Sequence, residues 1–133
     1  MMIDASALVV ILLREPDAAE VVMAIADAKA PFTSPSRYTN DLCSHARQRM
    51  GCAGSGGGSA KVLDAGSIRV CAIADGMIST AAMAFDRFGN ARHPAQLNLG
   101  DCFASACAKT YRAPLLHKGD DFPRTDLELV YKG

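Results

Sequence analysis

Short apolar segments suited to β-strands alternate along this chain with longer segments that have helical spacing. The helical spacing is clear where Ala18, Val21 and Ile25 place apolar side chains three and four residues apart. Strands that alternate with helices are typical of α/β proteins. We therefore predict a three-layer α/β/α sandwich with a mostly parallel central sheet. The strand candidates are residues 1–3, 32–34, 68–74 and 113–117.

The size of the chain limits it to one hydrophobic core. A folded protein of 133 residues exposes about 6,700 Å², against roughly 20,000 Å² for the unfolded chain. Half of the residues are hydrophobic and 21% are charged, which argues against disorder. We predict a single domain over residues 1–133, with a flexible Gly/Ser-rich connector at residues 51–60.

An alternative interpretation of the connector sequence, GCAGSGGGSA, is a phosphate-binding loop. A P-loop requires glycine before its lysine, whereas Ala60 precedes Lys61. The GxGxxG pattern would need a glycine where this chain has Ser59. The sequence therefore favours a flexible connector.

Net charge and hydropathy limit the class of protein and its location. Fourteen basic and 14 acidic side chains give a net charge of zero, so composition alone does not indicate a nucleic-acid partner. The apolar run at residues 5–13 is too short to cross a bilayer. Asp4 precedes that run, where a signal peptide would carry positive charge. We expect a cytoplasmic protein with no membrane partner.

The cysteines of the chain are odd in number and form no CxxC pair, which argues against a disulfide framework. We predict that they are free thiols that act as small apolar core residues. They are Cys43, Cys52, Cys71, Cys102 and Cys107.

Four aspartates occupy positions where a parallel sheet gathers its functional residues. Asp4 and Asp121 come just after predicted strands, and Asp101 is predicted to begin a helix. Asp41 borders the inward face of a helix predicted to begin at Ser34-Pro35. Helix caps and a turn at residues 120–121 are the structural alternative for these acids.

If the four carboxylates converge, they require a cation. Two carboxylates about 4 Å apart repel by roughly 4 kcal/mol at an effective dielectric constant of 20. Oxygen ligands of this kind suit Mg²⁺ or Mn²⁺. The matching chemistry is hydrolysis of a phosphodiester by a metal-activated water. This chemistry needs no side-chain nucleophile. The histidines of the chain are in keeping with it, because none has a triad-like placement: His45, His93 and His117.

Three segments of the sequence resemble the PIN-domain family, specifically its VapC-type toxins. They are MIDASALVVILLREP at residues 2–16, RHPAQLNLGDCFASACAK at residues 92–109 and APLLHKGDDF at residues 113–122. The resemblance covers nearly the whole chain and is weakest from residue 33 to residue 75.

The resemblance implies a role for each residue of the acidic cluster. Ser6 would support the site by hydrogen bonding, and Asp120 is a second acid beside the motif's aspartate. Asp41 stands where the family has a catalytic glutamate and is one methylene shorter, so its contact with the metal becomes water-mediated. The expected ligands of the divalent metal, directly or through water, are Asp4, Asp101 and Asp121.

The resemblance also implies a Mg²⁺- or Mn²⁺-dependent endoribonuclease, the toxin of a toxin–antitoxin pair. Its partners would be RNA, a cognate antitoxin and a second copy of the chain. A catalytically weakened module that binds antitoxin or RNA is the alternative, and a phosphatase or DNA nuclease is a third hypothesis. Phosphate contacts dominate affinity for nucleic acids, and the candidates for them are Arg14, Arg87, Arg92, His93 and Lys118.

Overall fold

The computed structural model describes residues 1–36, 38 and 55–130, with the backbone only at residues 55–57 and 59. Short strands alternate with helices through this part of the chain, as the sequence predicts. In order, the elements are β1 (Met2–Ile3), α1 (Ala5–Leu12), α2 (Ala18–Asp27), β2 (Phe32–Thr33), α3 (Ser55–Ala65), β3 (Arg69–Val70), α4 (Asp75–Phe88), α5 (Leu99–Thr110), β4 (Leu115–Leu116) and a 3₁₀ helix (Phe122–Arg124).

The four strands form one parallel sheet in the order β3-β2-β1-β4. The central strand β1 pairs with β4 so that Met2 lies opposite Leu115 and Ile3 lies opposite Leu116. The Asp4 N–H continues this ladder, since it donates to the Leu116 carbonyl over 2.9 Å. All four strands therefore end at the same edge of the sheet, where the predicted acidic residues follow β1 and β4.

Successive strand residues point to opposite faces of the sheet. Helices cover both of these faces. Met2 and Leu115 pack into one buried cluster with side chains of α4 and α5. Ile3 and Leu116 pack into a second cluster with side chains of α1 and α2. The fold is the predicted α/β/α sandwich, and its sheet is parallel throughout the described strands.

Helix α1 illustrates why the sequence folds in this way. Its sequence, ASALVVIL, is apolar on nearly every side because the helix is buried against the sheet and against α2. Asp4 supplies the N-cap that begins the helix, since its side chain accepts the Ser6 N–H. The end of β1 and the start of α1 therefore meet at one buried carboxylate.

The structure shifts two of the predicted boundaries. Helix α5 begins at Leu99 rather than at Asp101, because Asn98 is its N-cap. The predicted connector overlaps α3: residues 55–60 are helical, and residues 51–54 lie outside the described residues. Val62 and Leu63 of α3 pack against the cluster around Ile3, and such packing outweighs the low helix propensity of glycine.

The described cysteines are free, as predicted: Cys71 is half-buried, and Cys102 and Cys107 are buried. Burial raises the pKa of both Cys102 and Cys107 to about 11, with smaller contributions from Asp101 and Cys71 respectively. These two thiols are therefore protonated at neutral pH and act as small core residues. Cys43 and Cys52 lie outside the described residues.

Among the described helices, none combines the length and apolar character needed to cross a bilayer.

Candidate active site

Asp4 lies at the centre of the carboxyl edge of the sheet and is only 1% exposed. Its Oδ2 accepts the Ser6 N–H over 3.0 Å and the Ser6 hydroxyl over 2.7 Å. The same hydroxyl oxygen accepts the backbone N–H of Lys118 over 3.0 Å. Ser6 therefore connects the end of β1 to the segment that follows β4 and fixes the orientation of the Asp4 carboxylate.

Asp101 lies in the first turn of α5 and is 2% exposed. It forms a capping box with Asn98: Asp101 Oδ2 accepts the Asn98 N–H over 2.8 Å, and Asn98 Oδ1 accepts the Asp101 N–H over 3.0 Å. A carboxylate at this position also complements the positive end of the helix dipole. Asn98 was not among the predicted site residues, although its spacing of three from Asp101 is the signature of a capping box.

Asp120 and Asp121 are exposed, in the segment between β4 and the 3₁₀ helix. The Asp121 side chain makes no capping hydrogen bond to that helix. The next residue, Phe122, is buried and anchors this segment to the core. Asp121 is therefore exposed to solvent, whereas Asp4 and Asp101 are buried.

His117 is the buried titratable group that sequence reasoning passed over. It directly follows β4 and is 0% exposed, and no hydrogen bond of ordinary geometry joins either ring nitrogen to a described residue. Burial lowers its pKa below the usual 6.5, while the charge of Asp4, a weaker hydrogen-bond contact with the Lys118 backbone and the charge of Asp121 act in the opposite direction.

The donors at this edge are of the right kind for a divalent cation. Two buried carboxylates and a buried imidazole are oxygen and nitrogen donors in a water-poor setting. Within residues 1–36, 38 and 55–130, however, no three His, Cys, Asp or Glu side chains gather as a group that could hold a metal. The predicted fourth carboxylate, Asp41, lies outside the described residues.

Most of the predicted phosphate contacts are engaged within the protein. The Lys118 amine pairs with Glu15 and with Asp17, the latter at 3.0 Å. The hydrogen bond to Glu15 is the largest cause that raises the pKa of Lys118, followed by the one to Asp17. Lys118 therefore ties the end of β4 to the segment between α1 and α2.

Two of the three arginines of the group form ion pairs on the surface. Arg87 lies 3.1 Å from Asp126, and Arg92 lies 2.6 Å from Asp86. Both pairs leave the arginine more than half exposed, so the guanidinium groups remain accessible to a ligand.

His93 and Arg14 complete the group of predicted phosphate contacts. His93 Nδ1 accepts the Ala95 N–H over 3.1 Å, and its ring packs edge-on against Phe88. Arg14 is exposed, has a positive φ of 52°, and makes no ion pair with any described residue. Arg14 also lies close in sequence to Glu15, the partner of Lys118.

A separate groove of about 830 Å³ lies at the opposite end of the sheet, before β2 and β3 begin. Its lining is largely apolar, and Val22, one of its side chains, is 48% exposed. The cations that border it within the described ranges are Lys29, Lys61 and Arg69. An exposed apolar groove of this size is typical of a ligand or protein-binding surface.

The described architecture is that of a parallel α/β/α protein with buried carboxylates at the carboxyl edge of its sheet, the place where such folds form their sites. The sequence matches the PIN domain family over residues 1–128. This chain belongs to the PIN domain family, as the sequence motifs indicated.

Individual relatives match over nearly the whole chain. It is 38% identical over 132 residues to the protein named Ribonuclease VapC of Mycolicibacterium smegmatis, covering 98% of this chain and all of that one. It is 36% identical over 135 residues to Ribonuclease VapC30 of Mycobacterium tuberculosis, covering 98% of each.

One solved structure has the same fold. A toxin–antitoxin complex from Klebsiella pneumoniae matches with a TM-score of 0.70 at 13% identity, covering 98% of both chains. At this level of identity the likeness establishes the fold alone.

Proposed function

We propose that this protein is a divalent-metal-dependent endoribonuclease, the toxin of a toxin–antitoxin pair, acting in the cytoplasm. One observation carries the proposal: the family's first acidic position is filled by Asp4, buried and held by two hydrogen bonds from Ser6. Near full-length relatives that bear the name ribonuclease support the same conclusion.

The carboxylates have distinct tasks in this proposal. Asp4 and Asp101, directly or through water, hold Mg²⁺ or Mn²⁺, and the capping box and Ser6 keep their oxygens oriented. A bound divalent ion supplies a water of lowered pKa and neutralises charge on the scissile phosphate. Asp121 is exposed, and because the described acids do not gather as a metal-holding group by themselves, it would join the ligand set through water. Asp41 is assigned to the same cluster from its place in the sequence.

The charge distribution supports an RNA substrate. Without the four proposed site carboxylates, the chain has 14 basic and 10 acidic side chains. Arg14 is the first candidate for a phosphate contact, because it is exposed and forms no ion pair within the described residues. Arg87, Arg92 and His93 form a second group, whereas Lys118 contributes mainly by holding the loop beside the site.

The groove bordered by Lys29, Lys61 and Arg69 supports a protein partner. Its apolar lining suits an amphipathic helix, and its cations suit acidic side chains on that helix. We infer that the antitoxin binds here. Homodimerisation follows from the family resemblance and is tested by the mass of the purified protein in solution.

The central test is RNA cleavage by the purified protein, freed of any partner. We expect cleavage of a structured RNA with Mg²⁺ or Mn²⁺, and its loss on addition of EDTA. Asp4→Asn and Asp101→Asn should abolish cleavage while leaving thermal unfolding nearly unchanged, because an amide oxygen can still accept both capping bonds. Asp64→Asn, an exposed acid of α3, is the matched control. Undiminished cleavage by the Asp4 and Asp101 variants would refute the proposed site.

Two other functions share this acidic site. A catalytically weakened module that only binds antitoxin or RNA is favoured by Asp41, which is shorter than the family's glutamate. A phosphatase or DNA nuclease would use the same carboxylates on a different substrate. Parallel assays on RNA, DNA and a phosphomonoester separate these activities.

A further inference from the structure

We propose that Lys118 is a positioning residue for the proposed active site. Its ion pairs with Glu15 and Asp17 fix its backbone, and the fixed N–H directs the proton of the Ser6 hydroxyl onto Asp4. The role rests on the proposed function, in which the Asp4 carboxylate holds the divalent metal.

The hydrogen bonds around the Ser6 hydroxyl run in one direction. The Lys118 N–H donates to Ser6 Oγ over 3.0 Å, and Ser6 Oγ lies 2.7 Å from Asp4 Oδ2. A backbone N–H can only donate and an ionised carboxylate can only accept, whereas a hydroxyl has one proton and two lone pairs. The Ser6 proton is therefore directed onto Asp4. Because successive hydrogen bonds polarise one another, the Lys118 N–H also strengthens that bond.

The position of the Lys118 N–H depends on contacts outside the sheet. The register of β1 and β4 pairs residues as far as Leu116, and Lys118 lies two residues beyond it. Gly119, the next residue, has a φ of 104°, a conformation that favours glycine, and the chain bends there. An anchor on the Lys118 side chain therefore holds the N–H in place between the strand and the bend.

Two carboxylates of the segment between α1 and α2 form that anchor. The Lys118 Nζ pairs with Glu15 and lies 3.0 Å from Asp17. The Glu15 N–H donates to the Val10 carbonyl over 3.0 Å, and Asp17 is the N-cap residue of α2, so helix ends fix both acceptors. The three paired side chains are 21–33% exposed, whereas Arg87 is 56% exposed in its surface pair. Solvent therefore screens the Lys118 pairs less than that surface pair.

Hydrogen exchange on the full chain, labelled with ¹⁵N, tests the anchor independently of catalysis. The double variant Glu15→Gln/Asp17→Asn removes both negative charges and leaves residue 118 unchanged. The Lys118 N–H should then exchange about fivefold faster or more, because its bond to Ser6 opens more often. The Asp4 N–H, bonded within the ladder of β1 and β4, should exchange at the wild-type rate. Asp17 makes no side-chain cap bond to α2, so its replacement leaves that helix end intact.

The matched comparison for activity is between two lysines of equal exposure. Lys118→Met and Lys109→Met each remove an ion-paired ammonium from a side chain that is 33% exposed. In Lys118→Met, the Mn²⁺ concentration for half-maximal RNA cleavage should rise about tenfold, the lower end of the usual effect of losing a partner that orients a metal ligand. Lys109→Met should leave this concentration unchanged. Lys118→Arg keeps the positive charge and should recover most of the wild-type value.

The KM for RNA distinguishes positioning from a direct phosphate contact. If Lys118 acts through Ser6, the KM for RNA in Lys118→Met stays close to that of wild type at saturating Mn²⁺. A raised KM with unchanged kcat and unchanged Mn²⁺ dependence would instead show that the ammonium binds RNA, and it would overturn the positioning role.

The exchange rates give the other decisive outcomes. Acceleration that is equal at Lys118 and Asp4, or absent at Lys118, overturns the positioning role and leaves the ribonuclease proposal standing. Failure of the wild-type chain to bind Mn²⁺ and cleave RNA overturns the ribonuclease proposal, whereas selective acceleration at Lys118 still supports the anchor.

Discussion

The hydroxyl of Ser6 lies 2.7 Å from Oδ2 of Asp4 and makes the two residues one structural unit. The unit closes the junction between β1 and α1, and through the Lys118 N–H it also fixes the segment after β4. A single small side chain thereby couples the innermost carboxylate to the loop that carries Asp121.

Removal of this hydroxyl should affect both stability and cleavage. In Ser6→Ala, Asp4 loses one hydrogen bond and the Lys118 N–H loses its acceptor, so the free energy of unfolding should fall by about 1–3 kcal/mol. Cleavage should fall by about 10- to 100-fold, the usual effect of losing a residue that orients a metal ligand. Urea unfolding and RNA cleavage rates measure the two effects.

The matched control is Ser79→Ala, whose hydroxyl makes an exposed bond to the Gly76 carbonyl over 3.2 Å. This variant should change the free energy of unfolding by no more than about 0.5 kcal/mol. Equal effects at positions 6 and 79 would show that the Ser6 hydroxyl has no special role.

Local sequence signals predicted the position of Asp4 because two of them agree. An apolar strand ends at Ile3, and Asp4 is a good N-cap residue for the helix that follows. Both signals place the Asp4 carboxylate at the edge of the sheet. At Asp101 the same reasoning chose the wrong cap, since Asn98 and Asp101 are both good capping residues. Only the reciprocal hydrogen bonds between them show which one begins the helix.

The start of α3 and the burial of His117 depend on contacts that are distant in sequence. A Cβ added at Gly58 would lie 3.5 Å from Leu12 Cδ2, so this glycine-rich helix lies close to α1. Composition predicts a flexible segment there because it contains no information about α1. His117 likewise appears as an ordinary polar residue until Phe122 and the neighbouring strand enclose it.

Asp126 should stabilise the protein in a pH-dependent way. Lys109 and Arg87 lie 2.8 Å and 3.1 Å from its carboxylate, and the hydrogen bond from Lys109 is the largest cause that lowers the pKa of Asp126 below 3.8. A lowered pKa in the folded state contributes stability that is present above 3.8 and is lost as the pH falls through the folded value.

The expected result is a stability difference that depends on pH. Asp126→Asn should reduce the free energy of unfolding at pH 7 by about 0.2–1 kcal/mol per exposed ion pair. The difference from wild type should shrink as the pH falls below 3.8, which urea unfolding at several pH values would reveal. Asp64→Asn is the surface control, because Asp64 is exposed and forms no ion pair with another described residue. A difference that stays constant into strong acid would contradict the ion-pair explanation.

The apolar groove should determine antitoxin binding without affecting catalysis. Lys61→Glu reverses a charge at its border, and Val22→Asp places a charge in its lining. Each should weaken antitoxin binding at least tenfold, as measured by titration calorimetry, and the Lys61 effect should diminish at high salt. Arg112→Glu reverses an exposed charge outside the groove lining and should leave the affinity close to that of wild type. Equal weakening by all three variants would place the antitoxin elsewhere.

Asp41 distinguishes a working nuclease from a weakened one. The resemblance to the family implies glutamate at this position, and its extra methylene would let a carboxylate reach the proposed metal directly, where Asp41 would do so through water. Asp41→Glu should therefore increase RNA cleavage and tighten Mn²⁺ binding, whereas Asp41→Asn should lower both. Cleavage rates and Mn²⁺ titrations on the three proteins measure this. If neither the wild type nor Asp41→Glu cleaves RNA while both bind the antitoxin, the acidic site belongs to a binding module rather than to an enzyme.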